Sequence, residues 1–217
     1  FREHLHGRFL NHPKADRKHR SILRCVGISE SRLQEKLNEL DTPVGIEIHY
    51  KATVAENQII LDAPQSVATQ DFQKHAQKCA SKIGASCLGI DTPPLAELLL
   101  ERLSAKNETL AVAESCTGGK ISSAITAIPG ASAVFLEGSC VYSNEAKIRN
   151  CGVKQEQLVT HGAVSESVAK SLAKGIRERA GSTYGIGVTG IAGPGGGSKD
   201  KPVGPVPVAL ATPNDTL

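Results

Sequence analysis

The segment TLAVAESCTGG, residues 109–119, joins an apolar run typical of a buried strand to a polar, glycine-rich end typical of the start of a helix. A strand–turn–helix junction of this kind directs backbone N–H groups and the positive end of a helix dipole at an anion. It also places the Ser115 hydroxyl at the carboxyl end of a strand, where open α/β sheets keep their sites. From the local pattern alone, a plain capping turn and an anion-binding site both stay open.

The sequence on both sides of this segment alternates short apolar runs with longer helical patterns. Further strands are predicted at residues 139–142, 184–188 and 206–211, and Ser165 is predicted to cap a helix. This alternation predicts a three-layer α/β/α sandwich with a largely parallel sheet. Because parallel strands end at the same edge of a sheet, we expect the polar segments that follow them to meet there.

Residues 17–90 are predicted to form a small α+β domain. The predicted order is helix, helix, strand, strand, helix. The first helix covers Arg17–Val26, the second begins after Ser29, and the last covers Thr69–Ile83. The two strands, at residues 44–50 and 58–61, are expected to pair as a hairpin.

A domain boundary is predicted at Asp91-Thr92-Pro93-Pro94, since paired prolines stop both helix and sheet hydrogen bonding. Residues 1–16 are accordingly assigned to a linker or to the tail of a preceding domain, and residues 95–217 to a second domain.

Composition excludes several classes of protein. No run of about 18 apolar residues offers a membrane span. The net charge of +3 is too small to argue for a nucleic-acid partner. None of the six cysteines stands in a C-x-x-C relation, so no zinc or disulfide framework is predicted, and the thiols are interpreted as those of a reduced, cytoplasmic protein.

Two further segments follow predicted strands. In YSNEAK, residues 142–147, Lys147 is either a solvated charge or, if burial lowers its pKa, a base. In TGIAGPGGGSKDKPVG, residues 189–204, successive N–H groups and two lysines suit a phosphate, although a flexible linker is the alternative. The segment is not a Walker loop, because no Gly-Lys-Ser/Thr closes it.

Taken in order, four segments resemble the signature segments of the CinA carboxy-terminal domain. They are AESCTGG (113–119), YSNEAK (142–147), HGAVSE (161–166) and TGIAGPGGGSKDKPVG (189–204). The resemblance covers residues 95–212. Residues 17–90 resemble, more faintly, the KH-like middle domain of that family, and residues 1–4 resemble the tail of its molybdopterin-binding-like domain.

The resemblance implies an amidohydrolase that converts nicotinamide mononucleotide to nicotinate mononucleotide and ammonia, without a metal or cofactor, in a homodimeric protein. It implies that Ser115 is the nucleophile and Lys147 the general base, and that Tyr142 orients this pair or binds substrate. Substrate-binding roles are expected for Cys116, Thr117, Gly118, Gly119, Ser132, Thr189, Gly190 and Gly193.

The residue types suit this chemistry. A serine hydroxyl is a weak nucleophile without an adjacent base, and a lysine acts as a base only if its pKa falls from about 10.4 toward about 7 to 8. Cys116, beside Ser115, is the alternative nucleophile. The family's domain continues with a Gly-Asp-Arg segment and covering helices, so the domain is expected to be truncated after Leu217.

Two other functions stay open. The second domain could be a nucleotide- or phosphate-binding regulatory module without catalysis. The first could bind RNA, but residues 1–94 lack the Gly-x-x-Gly loop that KH domains use, so no nucleic-acid partner is expected.

Overall fold

The computed structural model describes residues 17–53, 56–193 and 203–217. The predictions for residues 1–16 and for the centre of the glycine-rich loop, residues 194–202, lie outside this part of the chain. The chain divides into two compact units, one ending at Leu95 and the other beginning at Ala96.

The first unit is an antiparallel sheet packed against two helices. The sheet has the strand order β2-β3-β1-β4. Its elements are β1 (Arg17–Cys25), α1 (Glu30–Asn38), β2 (Glu47–Ala52), β3 (Asn57–Pro64), α2 (Thr69–Ile83) and β4 (Cys87–Ile90).

Several predictions for this unit are confirmed. The side chain of Ser29 accepts a hydrogen bond from Arg32 N and caps α1, the two predicted strands pair as the β2–β3 hairpin, and α2 has the predicted bounds. The edge strand β4 was not predicted, because four residues that include a glycine give too short a pattern.

The predicted helix over Arg17–Val26 is wrong, because this segment forms β1. Along β1 the buried side chains alternate, as Leu23 and Cys25 do, which is the period of a strand. Arg20 pairs with Asp62 on β3, and its guanidinium donates to that carboxylate at 2.7 and 2.9 Å. Pairing on both sides, with β3 and β4, outweighs the local preference for a helix.

The second unit is a three-layer α/β/α sandwich, which confirms the predicted fold class. Its sheet has the order β6-β5-β7-β8, with β5 parallel to β6 and β7, and β8 antiparallel to β7. Its elements are α3 (Leu95–Ala105), β5 (Leu110–Glu114), α4 (Lys120–Thr126), β6 (Phe135–Cys140), α5 (Asn144–Cys151), α6 (Gln155–His161), α7 (Glu166–Ala180), β7 (Tyr184–Val188) and β8 (Val208–Ala211).

Strand β5 lies at the centre of this unit and is buried on both faces. Ala111 and Ala113 pack into the apolar cluster that contains Leu172 of α7, whereas Leu110 and Val112 pack into the cluster on the opposite face. A strand buried on both faces is the reason that residues 110–114 form an almost continuous apolar run.

Close packing of α7 on β7 requires a glycine. A Cβ at Gly187 would lie 2.2 Å from the carbonyl oxygen of Ala169 and 2.4 Å from Ala173 N. Since these are backbone atoms of the helix, α7 could not stay at its present distance from the sheet if residue 187 had a side chain.

The bounds of two strands differ from the prediction. β6 covers Phe135–Cys140 rather than residues 139–142. The last strand begins at Val208 rather than at residue 206, because Pro205 and Pro207 have no N–H to donate to a ladder.

None of the helices in the described part of the chain has both the length and the apolar composition needed to cross a bilayer.

Candidate functional site

A polar cavity of about 390 Å³ lies at the carboxyl ends of β5 and β7. All four of the signature segments contribute to its wall. The described residues that line it are Ser115, Cys116, Tyr142, Lys147, Ala163, Val164, Thr189, Gly190, Ile191, Ala192 and Gly193.

Lys147, in the first turn of α5, is the principal buried cation of the cavity. Only 2% of the residue is exposed, and its Nζ donates to the carbonyl oxygens of Val141 at 3.0 Å and Tyr142 at 2.9 Å. In the described residues no carboxylate forms an ion pair with Nζ. Burial lowers the pKa of Lys147 below its ordinary value. The structure thus contradicts the alternative that Lys147 is a solvated charge.

These two carbonyl groups suit a neutral amine. An uncharged Nζ has two hydrogens and one lone pair, so the two hydrogen bonds that Nζ donates use both hydrogens. The lone pair then occupies the remaining tetrahedral position. A proton acceptor of this kind is what a general base requires.

Ser115 follows β5 directly and is nearly buried, with 7% of the residue exposed. Its backbone is fixed because Ser115 N donates to the carbonyl oxygen of Val188 at 2.9 Å. Its Oγ forms no hydrogen bond with any described residue. Ser115 and Lys147 line the same cavity, and no hydrogen bond joins them in the described part of the chain. With respect to those residues, the hydroxyl is available to a ligand.

Glu114 is a structural determinant of the site that the sequence interpretation missed. Its fully buried carboxylate accepts hydrogen bonds from Gly119 N at 3.1 Å, Ile121 N at 3.0 Å, and Ser122 N and Oγ at 2.8 and 2.7 Å. Burial acts to raise the pKa of Glu114, but the hydrogen bonds from Ser122 and Ile121 outweigh it and hold the pKa below its ordinary value.

The missed signal was the glycine at the start of α4. Gly119 is the N-cap residue and has no side chain to bind the free N–H groups of the first turn. A carboxylate at the end of the preceding strand can do so instead. Glu114 therefore fixes the turn in which Cys116 lies.

Part of this helix start is therefore not available to an anion. The N–H of Gly119 binds the Glu114 carboxylate, and the N–H of Gly118 donates to the carbonyl oxygen of Ser115 at 3.1 Å. Within the part of the chain that the structure describes, the N–H groups of residues 116 and 117 donate to no acceptor. As far as the described residues show, these two N–H groups of the turn are available to a ligand.

Tyr142 and Thr189 both reach the cavity, with different exposure. The side chain of Tyr142 lies at the rim, since 74% of the residue is exposed, and it is the backbone carbonyl that holds Lys147. Thr189 is buried, and its Oγ1 donates to the carbonyl oxygen of Ala163 at 2.8 Å. Its hydroxyl hydrogen thus joins the HGAVSE segment to the end of β7.

Ser132 is not brought to the cavity. It is exposed on the short 3-10 helix Ala131–Ala133, which precedes β6. Because Phe135, at the start of β6, pairs with Leu110, at the start of β5, Ser132 lies at the opposite edge of the sheet from Ser115.

The ends of the glycine-rich loop continue the β7–β8 pairing. Ile191 N donates to the carbonyl oxygen of Pro205 at 3.2 Å, and Gly204 N donates to that of Ile191 at 2.9 Å. On the cavity side, the N–H groups of Gly190, Ala192 and Gly193 donate to no described residue. They form the part of the predicted phosphate site that the structure describes.

The fold and the cavity define an α/β protein with a buried lysine at the carboxyl edge of a mainly parallel sheet, beside a serine hydroxyl that no described residue engages. The CinA C-terminal domain matches residues 92–217, more than half of the chain. The chain therefore belongs to the CinA family.

Relatives and solved structures agree with this assignment. A CinA-like protein of Myxococcus xanthus is 41% identical over 200 residues, which are 88% of this chain and 47% of the relative. A CinA-like protein of Desulfovibrio desulfuricans is 50% identical over 196 residues, which are 89% of this chain and 46% of the relative. The chain thus spans about half the length of the curated relatives it matches.

Two crystal structures are similar to part of the chain. The competence/damage inducible protein CihA from Agrobacterium tumefaciens is 44% identical, with a TM-score of 0.56 over 57% of this chain and 75% of that one. A CinA superfamily protein from Escherichia coli is 36% identical, with a TM-score of 0.55 over 57% of this chain and 72% of that one.

Proposed function

We propose that the second unit is an amidohydrolase that converts nicotinamide mononucleotide to nicotinate mononucleotide and ammonia, with Ser115 as nucleophile and Lys147 as general base. The observation that carries the proposal is the burial of Lys147, without an ion-pair partner in the described residues, in the same cavity as Ser115. Membership of the CinA family supports the substrate class.

In the first step, Ser115 Oγ attacks the carbon of the carboxamide while neutral Lys147 takes the hydroxyl proton. A tetrahedral oxyanion forms, and the free N–H groups of Cys116 and Thr117 are the donors that the turn offers to it. The Lys147 ammonium then gives its proton to the amide nitrogen. Ammonia leaves, and an ester of Ser115 stays behind.

In the second step, water hydrolyses this ester. Lys147, neutral again, takes a proton from the water as its oxygen attacks the ester carbon. The ammonium then returns that proton to Ser115 Oγ as the bond breaks. Nicotinate mononucleotide is released, and the serine and the lysine return to their starting states.

Substrate recognition is assigned to the cavity wall on the side of β7. The N–H groups of Gly190, Ala192 and Gly193 are proposed donors to the phosphate. The exposed ring of Tyr142 at the rim is a suitable surface for the cationic pyridinium ring of the substrate. The homodimer that the family resemblance implies is part of the proposal and is tested by light scattering during size-exclusion chromatography.

Ammonia release from nicotinamide mononucleotide tests the proposal. We expect Ser115→Ala to lose at least about 10³-fold in kcat and Lys147→Met about 10² to 10⁴-fold. Ser123→Ala, a substitution of an exposed serine on α4, is the matched control and should keep full activity.

The same experiment separates the enzyme from a regulatory module. Saturable binding of nicotinamide mononucleotide without ammonia release would favour the non-catalytic alternative. Release at the wild-type rate by Ser115→Ala would contradict the assigned nucleophile. The corresponding riboside, which lacks the phosphate, should bind more weakly if the loop holds that group.

A further inference from the structure

Two cysteines of the first unit face each other across its sheet. Cys25, the last residue of β1, is paired with Cys87, the first residue of β4, in the antiparallel ladder between these strands. Both cysteines contact the same apolar core. Cys25 is fully buried within it, and Cys87 packs against it. Neither residue belongs to the unit that contains the proposed active site.

Cys25 and Cys87 form a non-hydrogen-bonded pair, in which the two strands lie closer together than at a hydrogen-bonded pair. Val26 N donates to the carbonyl oxygen of Ser86 at 2.9 Å, a bond that flanks Cys25 and Cys87 on one side. Flanking bonds of this register mark the non-hydrogen-bonded positions of an antiparallel ladder, where Cα atoms are about 4.5 Å apart. Disulfides form between Cα atoms about 4.4 to 6.8 Å apart, so the backbone separation suits a disulfide.

A bulge in β4 brings Cys87 to the correct face. Arg24 pairs with Gly89 and Cys25 pairs with Cys87, so Leu88 is an extra residue in this strand. Because of that residue, Cys87 and Ile90 both pack against the core although they are three positions apart. The thiols of residues 25 and 87 are therefore directed to one side of the sheet.

The two thiols differ in the way that a stepwise oxidation requires. Cys87 is partly exposed and Cys25 is fully buried. The Cys25 thiol lowers the pKa of Cys87, whereas the pKa of Cys25 is raised, first by Cys87 and then by burial. A small reagent thus meets the more acidic and more accessible thiol first.

We propose that Cys25 and Cys87 form a reversible disulfide in the presence of a small disulfide oxidant such as oxidised glutathione. The Cys87 thiolate attacks one sulfur of the oxidant, which releases one glutathione thiolate and leaves a mixed disulfide. The Cys25 thiol then loses its proton and attacks the Cys87 sulfur, which expels the second glutathione thiolate. Two protein thiols are oxidised to one disulfide, and one oxidant disulfide is reduced to two thiols.

The Cys25–Cys87 disulfide would tie the edge strand β4 covalently to β1. β4 has four residues and pairs only with β1 within the described sheet. Its end is held by Asp91, whose carboxylate accepts from Ser21 Oγ at 2.9 Å and Ile22 N at 2.7 Å. A disulfide at its start would secure the other end, so β4 would open less readily in the oxidised state.

The test uses the whole chain, first reduced and then incubated under native conditions with oxidised glutathione. Free thiols are alkylated, and the protein is digested with trypsin without reduction. We expect a disulfide-linked pair of peptides, residues 25–32 and 83–102, which dithiothreitol separates. Cys25→Ser should trap glutathione on Cys87, and Cys87→Ser should leave Cys25 unmodified.

Cys79 provides the matched control. It is a fully buried thiol of the same core, on α2, and its Sγ lies 3.5 Å from His75 Nε2. The linked peptides should form unchanged in Cys79→Ala. Recovery of both Cys25 and Cys87 as alkylated thiols after oxidation, or a link from Cys87 to Cys79, would overturn the proposal. The peptide map of the unsubstituted chain decides this even if a variant does not fold.

Discussion

The Nζ atom of Lys147 lies 2.9 Å from the carbonyl oxygen of Tyr142, so this tyrosine holds the lysine through its backbone and not through its phenol. The phenol hydroxyl is therefore not needed to position the base. We expect Tyr142→Phe to keep kcat for nicotinamide mononucleotide hydrolysis within about threefold of the unsubstituted chain, since the aromatic ring and the carbonyl are retained. A loss in kcat as large as that of Lys147→Met would mean that the hydroxyl takes part in proton transfer.

Lys147 should also determine the pH dependence of activity. Burial lowers its pKa, and only the neutral amine is a base, so kcat/KM should rise with pH through the lowered pKa of Lys147. Initial rates measured across the pH range test this. Activity that is flat or falls with rising pH over that range would be incompatible with a lysine base.

The same shift predicts a change in stability. The unfolded chain binds a proton at Lys147 up to a pH near 10.5, whereas the folded chain loses it at lower pH. Between these two values the free energy of unfolding should rise with pH, because the unfolded state binds more protons. Lys147→Met should remove this rise and increase stability at neutral pH, where charging the buried amine costs free energy. Urea denaturation at a series of pH values is the measurement.

Glu114 should stabilise the fold through its four hydrogen bonds. Glu114→Gln keeps the size of the side chain but loses the charge, and its amide nitrogen cannot accept from the N–H groups of α4. We expect a loss of about 2 to 4 kcal/mol in the free energy of unfolding. Urea denaturation again provides the value, and a change below about 0.5 kcal/mol would show that the cap is dispensable.

The lowered pKa of Glu114 also predicts how the stability of the protein changes in acid. The stability that Glu114 contributes is fully present above its ordinary pKa of 4.5 and is lost as pH falls through the lower folded value. The difference in stability between the unsubstituted chain and Glu114→Gln should accordingly shrink on acidification below pH 4.5.

The contact between α7 and β7 predicts a large effect at one glycine. Gly187→Ala places a methyl group against backbone atoms of Ala169 and Ala173, and should cost about 2 to 4 kcal/mol of stability. Gly181→Ala is the control: its Cβ would meet nothing within 4 Å, and only its positive φ of 63° opposes it, at about 1 kcal/mol. Equal costs in urea denaturation would contradict the packing argument.

The strand and helix pattern of the second unit could be predicted because its elements have strong periods. Strand β7 has the predicted bounds, and α7 begins after Ser165 as expected. The secondary structure of the first unit was harder to predict, because β1 is stabilised as a strand by Asp62 and other partners far away in sequence. A local pattern cannot show such partners.

The sequence could indicate candidate residues for the site but not their geometry. The signature segments indicated Ser115 and Lys147, and both line one cavity. Local pattern could not show that Lys147 is buried, because burial depends on tertiary packing. Nor could it show that Glu114 accepts hydrogen bonds from the N–H groups at the start of α4, because that depends on the conformation of the turn between β5 and α4. Ser132, expected to bind substrate, precedes β6, whose start pairs with the start of β5, and so lies at the other edge of the sheet.

In the proposed mechanism, Ser115 carries the acyl group during hydrolysis of nicotinamide mononucleotide. Mass spectrometry of acid-quenched, trypsin-digested enzyme tests it directly on the peptide of residues 107–120, which contains both Ser115 and Cys116. We expect a nicotinate mononucleotide ester on Ser115, absent from Ser115→Ala and retained in Cys116→Ala. An adduct on Cys116, or steady ammonia release by Ser115→Ala, would contradict it.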